Sequence, residues 1–367
     1  MSPERRLGLW LLVALGACAL MYLLRGALLP FVVGMAVGYL LDPLADRLEA
    51  MNCPRGVAAA VILGAFFVGV VAVLIVLAPV LQAQVAGFVA RVPDYVEHLR
   101  ALAEPIIAQY KAQLTGAEIE RLRQAAGGYA GDVVGWLGGL VGGLFSGGVA
   151  VLNVLSLIII MPVVAFYLLR DWDRIVAALD ALFPRGAAET VRQQLREIDS
   201  RLSGFVRGQA MVCLVLGTWY AVGLSLAGLD FGLLVGLGAG VISFIPYFGT
   251  AVGLGVGLGL AVAQFGEWLP IALVAAVFIS GQALEGFVLT PNLVGERVGL
   301  HPVWVLFALM AGGGLMGFTG VVLAVPAAAA IGVIVRFAIE RYLQSPLYLG
   351  GGDAGGENRG TGAVGEP

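Results

Sequence analysis

Long apolar runs recur along almost the whole chain, and they constrain its fold more than any other feature. Hydrophobic residues make up 60% of the 367 residues and charged residues only 12%, against about 45–50% and about 25% in a soluble domain. Since a spanning helix needs about 20 mainly apolar residues, the sequence predicts an all-α polytopic membrane protein with about eight transmembrane helices. The candidate spans are 7–24, 26–41, 56–81, 149–169, 210–229, 269–289, 302–318 and 321–342.

Two polar stretches, 82–148 and 170–208, separate groups of these spans. In both, valine, leucine or isoleucine recurs every three or four positions between charged residues, which predicts two amphipathic extramembrane helical segments. We expect them to pack against the protein or a neighbouring subunit rather than to sense lipid. The resulting division is 1–81 (three spans), 82–148, 149–169 (the fourth span), 170–208, 209–342 (a transport core) and 343–367 (a disordered tail).

The distribution of arginine predicts the orientation of the chain. Cytoplasmic segments of membrane proteins carry an excess of lysine and arginine. With the N-terminus inside, segment 170–208 and the short inner loops hold most of the arginines, whereas 82–148 holds few. We therefore expect both termini to be cytoplasmic and 82–148 to be external.

One apolar stretch, 231–264, is interrupted in its middle. Pro246 lacks a backbone donor and moves the preceding residue out of helical geometry, and Gly249 permits a tight turn. Each half has about 15 residues, or about 22 Å of helix, which is shorter than the hydrocarbon core of about 30 Å. The pattern predicts a re-entrant hairpin broken by proline and glycine, and a kinked pair of full-length helices is the alternative.

A break of this kind leaves backbone groups unpaired. Such groups are tolerated at membrane depth only where protein or a water-filled cavity supplies partners, and broken helices commonly form transporter binding sites. We therefore expect the tip of the hairpin to face a cavity. Ser243, Tyr247 and Thr250 would offer their hydroxyls there.

Two acids are candidates for coupling transport to protons, because ionisable groups inside a membrane are costly. Glu285 lies within a predicted span, and Gln282, three residues earlier, lies near the same helix face. An alternative interpretation places Glu285 near the inner end of its span, paired with Arg297. Asp230 directly precedes the hairpin, where it is either a transport residue or a helix cap.

Composition and motifs give no support to several other classes of function. The net charge of -3 gives no indication of a nucleic-acid partner. His98 and His301 are far apart, and the three cysteines have neither metal-site spacing nor the pattern of a disulfide framework. The chain also lacks a nucleotide-binding loop and a zinc-hydrolase motif. The sequence therefore predicts no metal, no cofactor and no enzymatic activity.

Four segments of the sequence together resemble a known family. They are FYLLRDWDRI, REIDSRLSGFVRGQ, GVISFIPYFGT and TPNLVGERVGLHPVWVLFALMAGGGLMGFTGVVLAVPAAAA. The resemblance is to the autoinducer-2 exporter family of bacterial inner-membrane proteins, and it is most specific over 196–330. It implies the same number of spans, a large external insertion after the third span, and homo-oligomers, expected to be pentamers.

The features carried over from the family lie in two regions, 244–249 and 299–326. Thr250 stands where a second proline or a similar residue is expected after the glycine of the tip. The second region also has glycines preceding a proline, Pro326, which suggests a repeat with a shared site between the two regions. Thr319 would then face the same cavity as Tyr247.

Three hypotheses about function follow. The first is a secondary transporter that exports a small polar solute resembling autoinducer-2, coupled to protons through Glu285. The second is a sodium/proton antiporter of the same fold. The third is a membrane scaffold whose amphipathic segments recruit partners, and it requires 170–208 rather than the hairpin to be essential.

Overall fold

The computed structural model describes residues 27–110, 148–183, 185–186, 188–294 and 300–345, together with residues 16, 23, 24 and 348. Within these ranges the ordered elements are all helical, and no strand is present. The helices are α1 (Leu29–Ala50), α2 (Arg55–Tyr110), α3 (Gly148–Asp180), α4 (Ala188–Leu226), α5 (Gly232–Ile242), α6 (Phe248–Gln264), α7 (Trp268–Leu284), a π-helical segment (Glu285–Val294), α8 (Pro302–Met316) and α9 (Phe318–Leu343).

Five of the described helical stretches are long and apolar enough to cross a membrane. They are α1, the Arg55–Tyr95 part of α2, α4, the stretch Trp268–Leu293 and α9, while α5, α6 and α8 are shorter apolar helices. The chain is therefore a multi-pass helical membrane protein. Most of the first predicted span, the segment 111–147 and the tail beyond 348 lie outside the described residues, and the count of eight spans stays a prediction.

Two helices continue through positions where the sequence predicts a change of segment. Helix α2 has 56 residues and is therefore about 84 Å long, nearly three times the thickness of the hydrocarbon core. Helix α4 has 39 residues and passes from the predicted cytoplasmic segment into the fifth predicted span. A change from apolar to polar sequence does not end a helix, so the amphipathic stretches in α2 and α4 continue membrane helices.

The buried core consists of three clusters. One lies between α4, α5, α6 and α7 and includes the fully buried Tyr220 and Phe278. A second joins α1, α2 and α3, and a third joins the middle of α4 to α8 and α9. The helices thus form a three-helix group, α1–α3, and a larger group, α4–α9.

Glycine allows α5 to lie directly on α4. A Cβ atom at Gly236 would collide with the backbone of Ala221, and one at Gly240 would collide with the backbone of Gly217. Small residues four positions apart let membrane helices approach closely. Helix α5 is therefore held against α4 along its length by contacts that no larger side chain permits.

Arg55, at the start of α2, ties the three helices of the first group together at one end. Its guanidinium forms ion pairs with Asp42 (2.7 Å), Glu49 (2.8 Å) and Asp46 of α1. Its Nε donates to the carbonyl of Leu169 in α3 (3.0 Å). We call this end of the molecule the Arg55 end.

A second ion pair, between Asp180 and Arg192, joins the end of α3 to the start of α4. Arg192 donates to both carboxylate oxygens of Asp180, at 2.5 and 2.8 Å, and these bonds lower the pKa of Asp180 below its ordinary value. Because the pKa of Asp180 is lowered in the folded protein, the pair stabilises the fold fully at any pH above the ordinary pKa of an aspartate. This stabilisation is lost as the pH falls through the lowered pKa of the folded protein.

We expect Asp180→Asn to lower the melting temperature slightly at neutral pH, because exposed ion pairs contribute little. The difference from the unmodified protein should vanish at strongly acid pH, where Asp180 itself is protonated. Thermal unfolding of the purified protein across this pH range measures both effects, with the exposed Asp173→Asn as the control. A difference that stays constant with pH would contradict the assignment.

The stretch between α5 and α6 is a true interruption of the helix. Residues 243–247 are not helical, and Tyr247 has a left-handed φ of 70°. The backbone N–H of Asp230 donates to Oε1 of Gln264 (2.8 Å), so α5 and α6 return to the same end of the molecule, which we call the Asp230 end. The pair is a helical hairpin, which we call the broken pair, and its re-entrant position in a membrane stays a prediction.

Candidate functional site

Three side chains from different elements form a hydrogen-bonded chain beside the break. The hydroxyl of Tyr220 in α4 lies 3.1 Å from Oγ1 of Thr250 in the first turn of α6. Thr250 Oγ1 in turn donates to Oε2 of Glu285 (3.5 Å), at the junction of α7 and the π-helical segment. Tyr220 and Thr250 are buried and Glu285 is half-buried. This chain is the candidate functional site.

The number of available protons fixes the direction of the two hydrogen bonds when Glu285 is ionised. A threonine hydroxyl has one proton and a carboxylate only accepts. If Thr250 donates to Glu285, it accepts from Tyr220. Protonated Glu285 can donate instead, so the hydrogen-bond order at the start of α6 depends on the charge of Glu285.

Tyr220 is held in place by close packing. Its ring packs at a tilt against Phe278 of α7, with the ring centres 4.9 Å apart, and it lies so close to Gly281 that a Cβ there would collide with it. The ring therefore sits in a slot formed by α7, and its hydroxyl reaches Thr250. Tyr220 is the main site residue that the sequence did not predict, since a tyrosine in an apolar span gives no local sign of a partner in another helix.

The π-helical segment begins at Glu285 and contains Pro291. Proline in a regular helix removes one hydrogen bond and clashes with the carbonyl four residues earlier. A wider π turn relieves this conflict, and such turns are frequent at functional sites. The change of helical geometry therefore starts at the candidate carboxylate.

The other predicted residues of the tip shape the break. The Ser243 hydroxyl donates to the carbonyl of Ala239 (2.8 Å), four residues earlier in α5. The carbonyl of Ser243 accepts from Nε2 of the buried Gln209 (2.5 Å), and a Cβ at Gly249 would collide with Ser243. Gln209, an amide in an apolar stretch of α4, thus satisfies a backbone group that the break leaves free.

Pro246 and Tyr247 complete the turn. Pro246 is half-buried, and the side chain of Tyr247 is half exposed. With its left-handed backbone, Tyr247 occupies the position before the first turn of α6. Phe244 and Ile245 pack on the cluster of α4, α8 and α9, so the tip contacts the second glycine-rich region.

Two predicted residues lie apart from the hydrogen-bonded chain. Gln282 is exposed on α7, although it precedes Glu285 by three residues. Thr319 is buried at the start of α9, beside the close approach of Gly320 to Gly312 of α8. Arg297, the alternative partner of Glu285, lies outside the described residues.

Asp230 takes part in a separate set of contacts at the Asp230 end. It forms an ion pair with Arg91 of α2, and its Oδ2 accepts from the hydroxyl of Tyr95 (3.2 Å). Gln264 bonds the N–H of Asp230 and also donates to the carbonyl of Gly228 (2.9 Å). Asp230 therefore joins the broken pair to α2.

The candidate site provides oxygen atoms of three kinds, from a carboxylate, a phenol and an aliphatic hydroxyl. In the described ranges, no group of three or more His, Cys, Asp or Glu side chains is placed to hold a metal ion. These oxygen atoms can exchange a proton, hydrogen-bond a polar solute or coordinate a small cation.

Several long apolar helices and a broken pair with an ionisable group at the break are features of membrane transporters. The family model described as AI-2E family transporter matches residues 9–340. The chain therefore belongs to the AI-2E transporter family, and the predicted family resemblance is confirmed.

Similar proteins from two bacteria support the same class. YrrI of Bacillus subtilis, provisionally named a transport protein, is 30% identical over 84% of this chain and 85% of its own length. PerM of Escherichia coli K12, provisionally named a permease, is 27% identical over 89% of this chain and 91% of its own length. The family and these relatives support a membrane transporter.

Proposed function

We propose that the protein is a secondary transporter that exports a small polar solute resembling autoinducer-2 across the bacterial inner membrane. The observation that carries this proposal is the Tyr220–Thr250–Glu285 chain at the break between α5 and α6. It combines an ionisable group with a break that exposes backbone groups, and both features are costly in a membrane. The orientation predicted from arginine places the termini in the cytoplasm.

Proton coupling follows from the charge of Glu285. Ionised Glu285 accepts from Thr250 and lies near the first turn of α6, where the helix dipole favours negative charge. Protonation removes that attraction and reverses the hydrogen bond. A proton that reaches Glu285 therefore loosens the contact between α6 and the π-helical segment, and exchange of this proton for the solute drives export.

A sodium/proton antiporter is the second candidate. The oxygen atoms of Glu285, Thr250 and Tyr220 come from three elements and would surround a small cation. In transporters with broken helices, oxygen groups near the break coordinate sodium ions or protons. On this proposal the cation replaces the proton at Glu285, and no organic solute moves.

Reconstituted protein in liposomes separates these two proposals. The vesicles are loaded with the furanone-type quorum signal, and its release is followed with and without an imposed proton gradient. Gradient-dependent release that is lost in Pro246→Ala supports the exporter. Proton movement that is driven by sodium in the absence of solute supports the antiporter. If the folded protein shows neither activity, both proposals are refuted.

Replacing Tyr220 by phenylalanine tests the hydrogen-bonded chain. The ring remains in its slot, and only the donor to Thr250 is lost. We expect the transport rate to fall roughly two- to tenfold, the factor that corresponds to about 0.5–1.5 kcal/mol for one hydrogen bond. Initial rates in liposomes measure the change, and Tyr342→Phe, on the exposed part of α9, is the control. Rates equal to those of the unmodified protein would exclude a role for this hydroxyl.

A further inference from the structure

We propose that residues 84–98 of α2 form a strap that closes the Asp230 end of the broken pair, and that the strap separates from this end during transport. The inference adds a moving contact to the proposed function, and its last step rests on that function. The strap contains Gln84, Arg91, Tyr95 and His98, which recur at intervals of seven, four and three residues. Such spacing places them on one face of the helix.

The strap caps one helix of the broken pair. Leu234 N–H is among the first donors of α5, which have no partner within the helix. The residue before α5, Phe231, has a left-handed φ of 63° and provides no side-chain cap. Oε1 of Gln84 accepts from Leu234 N–H (3.0 Å), so α2 supplies the missing cap from another helix.

The strap also reaches the end of the other helix. The carbonyl of Ala263 lies in the last turn of α6, where carbonyls lack helical partners. His98 Nδ1 lies 2.8 Å from this oxygen and donates to it. One face of α2 therefore satisfies backbone groups at the start of α5 and at the end of α6.

Phe231 is fitted between the strap and the broken pair. A Cβ at Gly87 would stand 3.2 Å from its ring, which is tighter than normal packing. Phe88 meets the ring edge-to-face at 5.4 Å, and the Arg91 guanidinium lies 5.9 Å from the ring centre. These contacts align α2 with Asp230.

The contact between the strap and the broken pair is partly exposed to solvent, and its ion pair is weak. Arg91 and Asp230 have side-chain exposures of 53% and 32%, and exposed ion pairs are weak. A groove of about 610 Å³ lies beside them, lined by residues that include Gln84, Arg91, Asp230 and Phe231. The α4–α5 contact, by comparison, is close glycine packing. When helices α4–α9 move relative to α1–α3, the strap contact therefore opens and the α4–α5 contact stays closed.

Labelling of a cysteine placed at Phe88 of the strap detects this opening without any solute. Phe88 is half-buried with its ring against Phe231, so a cysteine at this position becomes accessible when the strap separates. The experiment uses full-length protein in liposomes with Cys18, Cys53 and Cys213 replaced by serine, Phe88→Cys as the single cysteine, and a maleimide that cannot cross the membrane. We expect Arg91→Gln to increase the labelling rate from the Asp230 side about two- to fivefold, because an exposed ion pair contributes little. An unchanged rate would overturn the proposal.

A charge exchange separates opening from misfolding. Each single change, Arg91→Asp or Asp230→Arg, should label fast. The double variant that carries both changes should label as slowly as the protein with the unmodified ion pair. Arg174→Gln, at an arginine with 84% exposure, is the matched control and should label slowly. Fast labelling in the double variant as well would show that the substitutions damage the fold, and would also overturn the proposal.

The strap and the proposed function can fail separately. Cysteines at 91 and 230, joined by a reducible cross-linker in a background without other cysteines, should stop transport, and reduction should restore it. Faster labelling of the strap cysteine in Arg91→Gln, without transport of the quorum signal by the unmodified protein, would uphold the strap and refute the proposed substrate. Transport that continues in the cross-linked protein would refute the strap alone.

Discussion

Glu285→Gln is expected to abolish the dependence of transport on a proton gradient. Glutamine keeps the size of the side chain and can still bond Thr250, but it cannot take up or release a proton near neutral pH. We expect gradient-driven solute release to fall at least tenfold, to the rate seen without a gradient. Release from liposomes with an acid or a neutral exterior measures this ratio.

The control for this variant is Glu340→Gln, which removes an exposed carboxylate of α9. It should keep the full gradient dependence. The melting temperature of both variants should stay close to that of the unmodified protein, because Glu285 is only half-buried. A Glu285→Gln protein that still responds to the gradient would remove this residue from the coupling mechanism.

Gly240→Leu is expected to have the largest effect on the fold. A Cβ atom at this position would collide with the Cα of Gly217 and would lie 3.1 Å from the carbonyl oxygen of Cys213. Over-packing of a core costs about 1–3 kcal/mol, and here the neighbour is backbone, which cannot rotate away. We expect α5 to separate from α4 and the yield of folded protein to fall severely.

Gly238→Leu, two residues earlier on α5, is the matched control. A Cβ at Gly238 meets nothing within 4 Å, so leucine should be tolerated there. Size-exclusion chromatography and thermal unfolding in detergent compare the two variants. Equal stability of the Gly240 and Gly238 variants would contradict the close α4–α5 packing.

The features that the sequence predicted well depend on local rules. Pro246 and Gly249 mark the break because neither residue favours a continuous helix. Glu285 is conspicuous as an acid in an apolar span, and its role in transport stays a prediction. Four sequence segments were sufficient to identify the family. None of these conclusions required knowledge of which helices are neighbours.

The features that the sequence did not predict depend on contacts between distant residues. Tyr220 joins the site because α4, α6 and α7 meet there, and that arrangement rests on glycine contacts such as Gly240 with Gly217. Gln282 lies three residues before Glu285, yet it is exposed and outside the chain of hydrogen bonds. The link between Asp230 and Arg91 spans 139 positions, a distance over which local patterns carry no information.

The helix boundaries illustrate the same limit. The sequence predicts separate segments at 82 and at 209, where polarity changes. The structure continues α2 and α4 through both positions, because hydrogen bonding along the backbone does not depend on the polarity of the side chains. The continuity of α2 carries the strap to the Asp230 end of the broken pair.

The claim that Glu285 carries the coupling proton is tested most directly by measuring proton movement itself. Liposomes containing a trapped pH-sensitive dye and the unmodified protein receive an outward gradient of the quorum signal in the absence of a pH gradient. The proposed exchange predicts proton movement against the solute in the unmodified protein and in Glu340→Gln, and none in Glu285→Gln. Equal proton movement in all three proteins would contradict the mechanism.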